Sequence, residues 1–247
     1  MRHFSELVGD LRGAGLFLFL DYDGTLVDIA PRPQDAKMSG EKRALLRALA
    51  RRHRVAVLSG RSLSEIVRLV GVRGIYYAGN HGLEIRGPGV RFTHPGVLRF
   101  REVMGEIAES ARRELGGIAG AIVENKGFSV GLHYRLVAPA QRSAFRHRAL
   151  RVLERFRGIR IARGKCVIEA RPAIDWDKGK AVLWLLRARG AGRFPVYFGD
   201  DETDEDAFRV LRDVGAGVLV APRPRRSLAR YYVRDTREVE KVLADLL

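Results

Sequence analysis

The sequence predicts an α/β fold built on a parallel sheet, with a smaller α+β layer inserted in its middle. Three observations carry this expectation. Buried-type apolar runs alternate with amphipathic helical stretches from residue 16 to about residue 78. Between about 86 and 172 the order changes to α-β-β-α-β-β, with strands that alternate in polarity. The α/β alternation then returns and runs to a last helix near 238–246. The expected division is a core of 1–85 and 173–247 around an inserted domain of 86–172.

Each element has a local reason. Leu16 to Leu20 is a short apolar run ending in Asp21, as in a strand covered on both faces. Leu45, Leu46 and Leu49 line one side of a helix at about 40–52, and Val55–Leu58 is a second buried strand. Ser62 opens a helix with Glu65 three residues on, the spacing of a capping box. Its apolar residues Leu63, Ile66, Val67 and Val70 recur with helical period, and Ile75–Ala78 is a third strand. Residues 98–115 place Phe100, Met104, Ile107, Ala111 and Leu115 on one stripe. Residues 119–124 and 127–135 form a hairpin whose second strand alternates: Phe128, Val130, Leu132 and Tyr134 against Ser129, Gly131, His133 and Arg135. A helix at about 141–157 and strands near 159–163 and 165–170 complete the insertion. Then come a helix from Lys178 to Arg189, a strand at 195–198, a helix after Thr203 and a strand at 218–220.

Composition excludes several classes. With 46% hydrophobic residues the chain can bury a core, so general disorder is excluded. The longest apolar run, Gly15–Leu20, is too short to span a bilayer, and the first fifteen residues lack a signal-peptide pattern. Cys166 is the only cysteine, which rules out an internal disulfide. The expectation is a soluble cytoplasmic monomer without a membrane partner. The formal net charge of +16 raises nucleic-acid binding as an alternative. Against it, the 38 Arg and 7 Lys are scattered, and the densest cluster, Pro222-Arg223-Pro224-Arg225-Arg226, has no interleaved aromatics. No nucleic-acid partner is therefore expected.

Four segments at predicted strand or helix ends carry chemistry. Asp21-Tyr22-Asp23-Gly24-Thr25 follows the first buried strand, and ligands of parallel sheets sit at the carboxyl ends of strands. Two carboxylates there can serve as nucleophile and proton carrier, although Asp and Gly are also ordinary turn residues. Ser59-Gly60-Arg61 joins a strand to a helix, where a hydroxyl and backbone N–H groups can hold a phosphoryl group. Lys178 sits at a helix N-terminus, against the helix dipole, and so fits a place beside an anion. Asp200, Asp201 and Asp204 belong to six acids within seven residues. A hard cation such as Mg2+ takes one or two carboxylates together with substrate phosphate oxygens. The simplest combination holds Mg2+ between Asp21, Asp200 and the main-chain carbonyl of Asp23.

Taken together, in this order, these segments resemble the phosphatases of the haloacid dehalogenase superfamily, whose core is Rossmann-like. The resemblance implies that Asp21 is the nucleophile and Asp23 the acid and base. It makes Ser59 and Lys178 the holders of the phosphoryl oxygens, Asp200 a metal ligand, and Asp201 or Asp204 its support. The inserted α+β domain looks like the cap of the sugar-phosphatase branch. Within that branch the segments Gly79-Asn80-His81-Gly82-Leu83-Glu84, Val123–Ser129, His133-Tyr134-Arg135, Glu169–Pro172 and Asp175–Lys180 are similar to those of trehalose-6-phosphate phosphatases. The resemblance covers about Leu16 to Asp206, and Asn125 stands where that family often has an acid. It implies a phosphorylated disaccharide as substrate, with sucrose phosphate or mannosylglycerate phosphate as alternatives. The residues expected to touch substrate are Gly60, Arg61, Asn80, His81, Glu84, Glu124, Lys126, His133, Arg135 and Glu169.

Overall fold

Alternate residues of the first long strand explain the architecture. Leu16, Leu18 and Leu20 enter one hydrophobic core while Phe17 and Phe19 enter another, so the strand is buried on both faces. The computed structural model describes residues 1–247, which divide into two compact units, Met1–Phe92 with Trp176–Leu247, and Thr93–Asp175. In chain order the elements up to the insertion are β1 (Arg2–His3), α1 (Ser5–Leu11), β2 (Leu16–Asp21), α2 (Gly40–Arg52), β3 (Arg54–Leu58), α3 (Leu63–Val70), β4 (Tyr76–Gly79), β5 (Glu84–Gly87) and β6 (Val90–Thr93). The insertion holds α4 (Arg101–Leu115), β7 (Ile122–Asn125), β8 (Val130–His133), α5 (Arg142–Leu153), β9 (Ile159–Gly164) and β10 (Val167–Pro172). After it come α6 (Lys178–Arg189), β11 (Phe194–Gly199), α7 (Glu205–Leu211), β12 (Ala216–Val220), β13 (Tyr231–Val233) and α8 (Thr236–Ala244).

The first unit is a three-layer sandwich. Its sheet runs β1-β13-β12-β11-β2-β3-β4-β5-β6, parallel from β1 through β4. One face is covered by α1, α2, α3 and α8 through Val8, Leu46, Leu49, Ile66, Val70 and Val242. The other is covered by α6 and α7 through Ala181, Val182, Leu185, Phe208 and Leu211. The chain reverses from β3 to α3 through Ser62, which accepts from Glu65 N (3.3 Å), and α3 ends at Gly71 with φ 61°. Only half of the expected capping box forms, because the Glu65 carboxylate turns to Arg61 instead.

In the second unit a four-stranded antiparallel sheet, β7-β8-β10-β9, is packed on one face by α4 and α5. Met104, Ile107, Ala111, Phe145, Ala149 and Val152 meet Val130, Leu132, Ile168 and Ala170 there. The boundary differs from the expected 86–172. β5 pairs antiparallel with β4, and β6 follows it in the large sheet, so the second unit starts at Thr93 and ends at Asp175. β1 and β13 were not foreseen. Strands of two and three residues carry too little periodicity, and their pairing joins opposite ends of the chain.

Candidate active site

The carboxyl ends of β2, β3, β4 and β11 carry the candidate site residues of the first unit. Asp21 is the last residue of β2 and lies in register with Leu58, so Ser59 begins the adjacent loop. Asp177 caps α6 by accepting from Lys180 N (2.8 Å), which makes Lys178 its first residue. The Lys178 ammonium is buried between two acids, donating to Asp21 Oδ1 (2.6 Å) and Asp204 Oδ1 (2.7 Å). Burial alone disfavours this charge, but Asp204 and Asp21 more than compensate, and the Lys178 pKa is raised.

Asp204 is the anchor of this cluster. Its Oδ1 also accepts from Tyr197 Oη (2.6 Å), and its Oδ2 accepts from the backbone N–H of Asp200 (2.9 Å) and Asp201 (3.0 Å). Four donors use its acceptor capacity, so it orients neighbours rather than offering free lone pairs. Burial pushes the Tyr197 hydroxyl pKa up, and Asp204 adds to the effect, which keeps the hydroxyl a donor. Asp200 lies against Gly24, whose φ is +94°, and a Cβ there would collide with the Asp200 carboxylate. The sharp left-handed turn at Gly24 thus folds the β2 loop over the end of β11.

One carboxylate oxygen from each of Asp21, Asp200 and Asp204 lies within 4.8 Å of the other two, and all three residues are buried. One ammonium faces three acids in a buried place, and burial, with Asp204 and Asp200 alongside, pushes the Asp21 pKa up despite Lys178. The hard carboxylate oxygens of Asp21 and Asp200, oriented beside Asp204, fit a divalent cation such as Mg2+, which would also favour their ionised forms.

Asp23 faces elsewhere. Its two oxygens accept from Arg61 Nε and Nη2, both at 2.7 Å, in a bidentate pair. Arg61 is itself fixed by Glu65 (2.5 Å) and the carbonyl of Pro33 (2.8 Å), and it lies over the Tyr22 ring. Burial opposes the Arg61 charge, and Asp23 and Glu65 outweigh that opposition, raising its pKa. Ser59 Oγ is buried and accepts from Arg61 N (3.1 Å). Beyond β4, Asn80 and His81 both adopt left-handed backbone, φ 49° and 57°. That strain, about 1 kcal/mol or more per residue, is held by Asn80 N to Arg61 O (2.7 Å) and His81 N to Ser59 O (3.0 Å). The His81 ring covers Gly60, where a Cβ would meet it at 2.6 Å. Asn80 Nδ2 donates to Glu84 Oε2 (2.9 Å).

On the helix-free face of the second unit's sheet, a different polar network forms. Glu169 accepts from Lys126 Nζ (2.7 Å) and Ser129 Oγ (3.1 Å) on one oxygen, and from Arg171 Nε (2.6 Å) on the other. The Lys126 pKa is raised, because Glu169 and Glu124 outweigh the effect of burial. Glu124 pairs with His133 Nε2 at 2.7 Å. That pair passes over Gly131, where a Cβ would lie 2.9 Å from His133 Nε2.

Comparison with known proteins now decides the family. The trehalose-phosphatase family profile matches residues 19–237. The chain belongs to the trehalose-phosphatase family. This is a family of phosphoric monoester hydrolases, so the protein is an enzyme of that class. It is 37% identical over 265 residues to "Probable trehalose-phosphate phosphatase 3" of Oryza sativa subsp. japonica, covering 99% of this chain and 72% of the relative. Among solved structures it is similar to a trehalose-6-phosphate phosphatase related protein, with 30% identity, TM-score 0.81 and coverage of 92% and 95% of the two chains. The C-terminal domain of the C. albicans trehalose-6-phosphate phosphatase shares the fold, with TM-score 0.81 at 22% identity over 98% and 97% of the chains. The haloacid dehalogenase fold expected from the motifs is the fold found.

Within this trehalose-phosphatase family member the structure brings Asp21, Lys178, Asp200 and Asp204 into one cluster, with Ser59 on the neighbouring strand end. Asp201 stands apart as a cap, accepting from Glu202 N (2.7 Å). Arg135 also stands apart: it donates to the carbonyl of Lys165 (2.7 Å) near the end of a hairpin, away from Glu169. The arginine that meets Glu169 is Arg171, two residues along the same strand. Sequence reasoning missed Arg171, Tyr197 and Glu65. The i, i+2 spacing of Glu169 and Arg171 puts them on one strand face and was available as a signal. Tyr197 reads as core from sequence, and only its hydroxyl partner distinguishes it. Trp176 is pinned to the first unit, its Nε1 donating to the carbonyl of Gly82 (2.8 Å) and its ring stacked on Phe92.

Proposed function

We propose that the protein hydrolyses trehalose 6-phosphate to trehalose and inorganic phosphate, using Mg2+ and a covalent phosphate on Asp21. The observation that supports this most is the Lys178 ammonium held between Asp21 and Asp204 at the end of the parallel sheet. Asp21 attacks phosphorus as the bond from phosphorus to the sugar oxygen breaks. Asp23, as general acid, gives a proton to that oxygen. Water then attacks the phosphorus of the aspartyl phosphate, Asp23 takes the water proton, and the Asp21 carboxylate is released. Lys178 and Ser59 hold the phosphoryl oxygens, and Arg61 holds Asp23 between turnovers. Asp21, Asp200 and the main-chain oxygen of Asp23 would hold Mg2+, which neutralises phosphoryl charge when bound. In the second unit, Glu124, Lys126, His133, Glu169 and Arg171 supply the hydroxyl-binding groups that a disaccharide requires.

The test is phosphate release from trehalose 6-phosphate, sucrose 6-phosphate, mannosylglycerate phosphate and glucose 6-phosphate, each with Mg2+ and with EDTA. Preference for trehalose 6-phosphate with loss of activity in EDTA is expected. Preference for another sugar phosphate overturns the substrate assignment, and full activity in EDTA overturns the cofactor assignment.

A further inference from the structure

The densest basic cluster of the sequence lies in the loop that follows β12. β12 is the parallel neighbour of β11, with Gly199 in register with Leu219, so the loop leaves the sheet beside Asp200. Its first contact is direct: Arg225 Nη2 donates to the main-chain carbonyl of Asp200 at 3.1 Å. A second tie follows, from Leu228 N to Glu205 Oε2 (2.7 Å) in the first turn of α7. Arg223 and Arg226 are exposed and take part in no ion pair. Two unpaired guanidiniums therefore stand on a loop tethered to an acid-lined site. Pro222 and Pro224 restrict the backbone between them and the strand end.

We infer that Arg223 and Arg226 form an anion-guiding site at the catalytic edge, which draws the phosphate dianion of the substrate toward the Asp21–Asp200–Asp204 cluster. Acids at the sheet end oppose approach of a dianion, and the positive charge of Arg223 and Arg226 on the tethered loop counters that opposition. Arginine suits this role because its charge persists at all working pH values and its fork pairs with phosphate. Arg225, tied to Asp200, holds the loop in register. The inference rests on the phosphatase reading above and adds residues that the sequence motifs of the site do not contain.

The experiment compares the wild type with R223Q/R226Q and with R12Q/R51Q. The second variant removes the same charge from exposed positions after α1 and within α2. At about 20 mM ionic strength, kcat/KM of R223Q/R226Q on trehalose 6-phosphate with Mg2+ is expected to fall about fivefold, through KM, and to converge with wild type near 0.5 M. R12Q/R51Q is expected to stay within a factor of about 1.5. Equal kcat/KM at low salt, a loss that persists at high salt, or an equal loss in R12Q/R51Q overturns the inference. Calorimetric titration with inorganic phosphate and Mg2+ at the two ionic strengths needs no turnover. If wild type hydrolyses no sugar phosphate, the function proposed above fails, and this titration still decides the role of the loop. Salt-sensitive binding of duplex DNA lost in R223Q/R226Q, with phosphate affinity unchanged, also overturns it.

Discussion

At Asp21 and Lys178 one contact of 2.6 Å joins residues 157 positions apart, and the proposed chemistry depends on it. Asp21→Asn keeps a side-chain acceptor for Lys178 but removes the carboxylate proposed as nucleophile. It is expected to abolish phosphate release while leaving the far-ultraviolet circular dichroism of the wild type; normal turnover in this variant would end the proposed mechanism. Lys178→Met has a different consequence. It leaves Asp21 and Asp204 as buried like charges without their shared ammonium, and loss of one partner of such a pair costs about 3–5 kcal/mol. Urea denaturation should therefore show Lys178→Met much less stable than Asp21→Asn, and equal midpoints would contradict the buried-pair geometry.

Elements are held by their termini as well as by their apolar faces. α8 starts at Asp235, which accepts from Arg237 N (3.0 Å) and Glu238 N (2.8 Å). Glu238 reaches back to Arg234, accepting from its backbone N (2.5 Å) and its Nη2 (2.7 Å), and so ties α8 to the end of β13. The Arg234 hydrogen bond is the main reason that the Glu238 pKa is lowered to about 2. A carboxylate with a depressed folded-state pKa stabilises the fold above its unfolded-state value and loses that effect as pH falls through the folded value. Glu238→Gln should be less stable than wild type at pH 7 by about 1 kcal/mol, a modest figure because Arg234 is exposed. The difference should shrink between pH 5 and about 2. Melting temperatures across that range measure it, and a pH-independent gap would show that packing, not charge, holds this helix end.

For the whole molecule, the +16 net charge hides a strong local asymmetry. Three buried acids with one ammonium sit in an otherwise basic protein, and the loop of Arg223 and Arg226 stands beside them. No helix is long and apolar enough to cross a membrane. A cation bound only by the folded state raises stability by mass action. Mg2+ at about a hundred times its dissociation constant should add about 2.7 kcal/mol, visible as a rise in melting temperature that EDTA reverses. Asp200→Asn should flatten this response. A melting temperature indifferent to Mg2+ in the wild type would argue that the acid cluster holds no such ion.

The strand-end acids, Ser59, Lys178 and the α/β alternation were legible in the sequence because each follows a local rule: a buried run, a turn, a helix start. The insertion was legible too, since alternating strand polarity differs from the continuous apolar runs of the core. Hidden from the sequence were the relations between distant positions. The spacing did not show that Asp204 would accept four hydrogen bonds, that Asp23 would lie on Arg61, or that Arg171 would meet Glu169. Nor did it show that residues 84–93 would extend the large sheet, or that β1 would pair with β13. The sequence by itself determined which residue types end each strand and helix, because periodicity and turn chemistry are local. Only the tertiary structure decided which of those ends share a charge. Pairing across the sheet is set by strand order and register, and these follow from the packing of both faces at once.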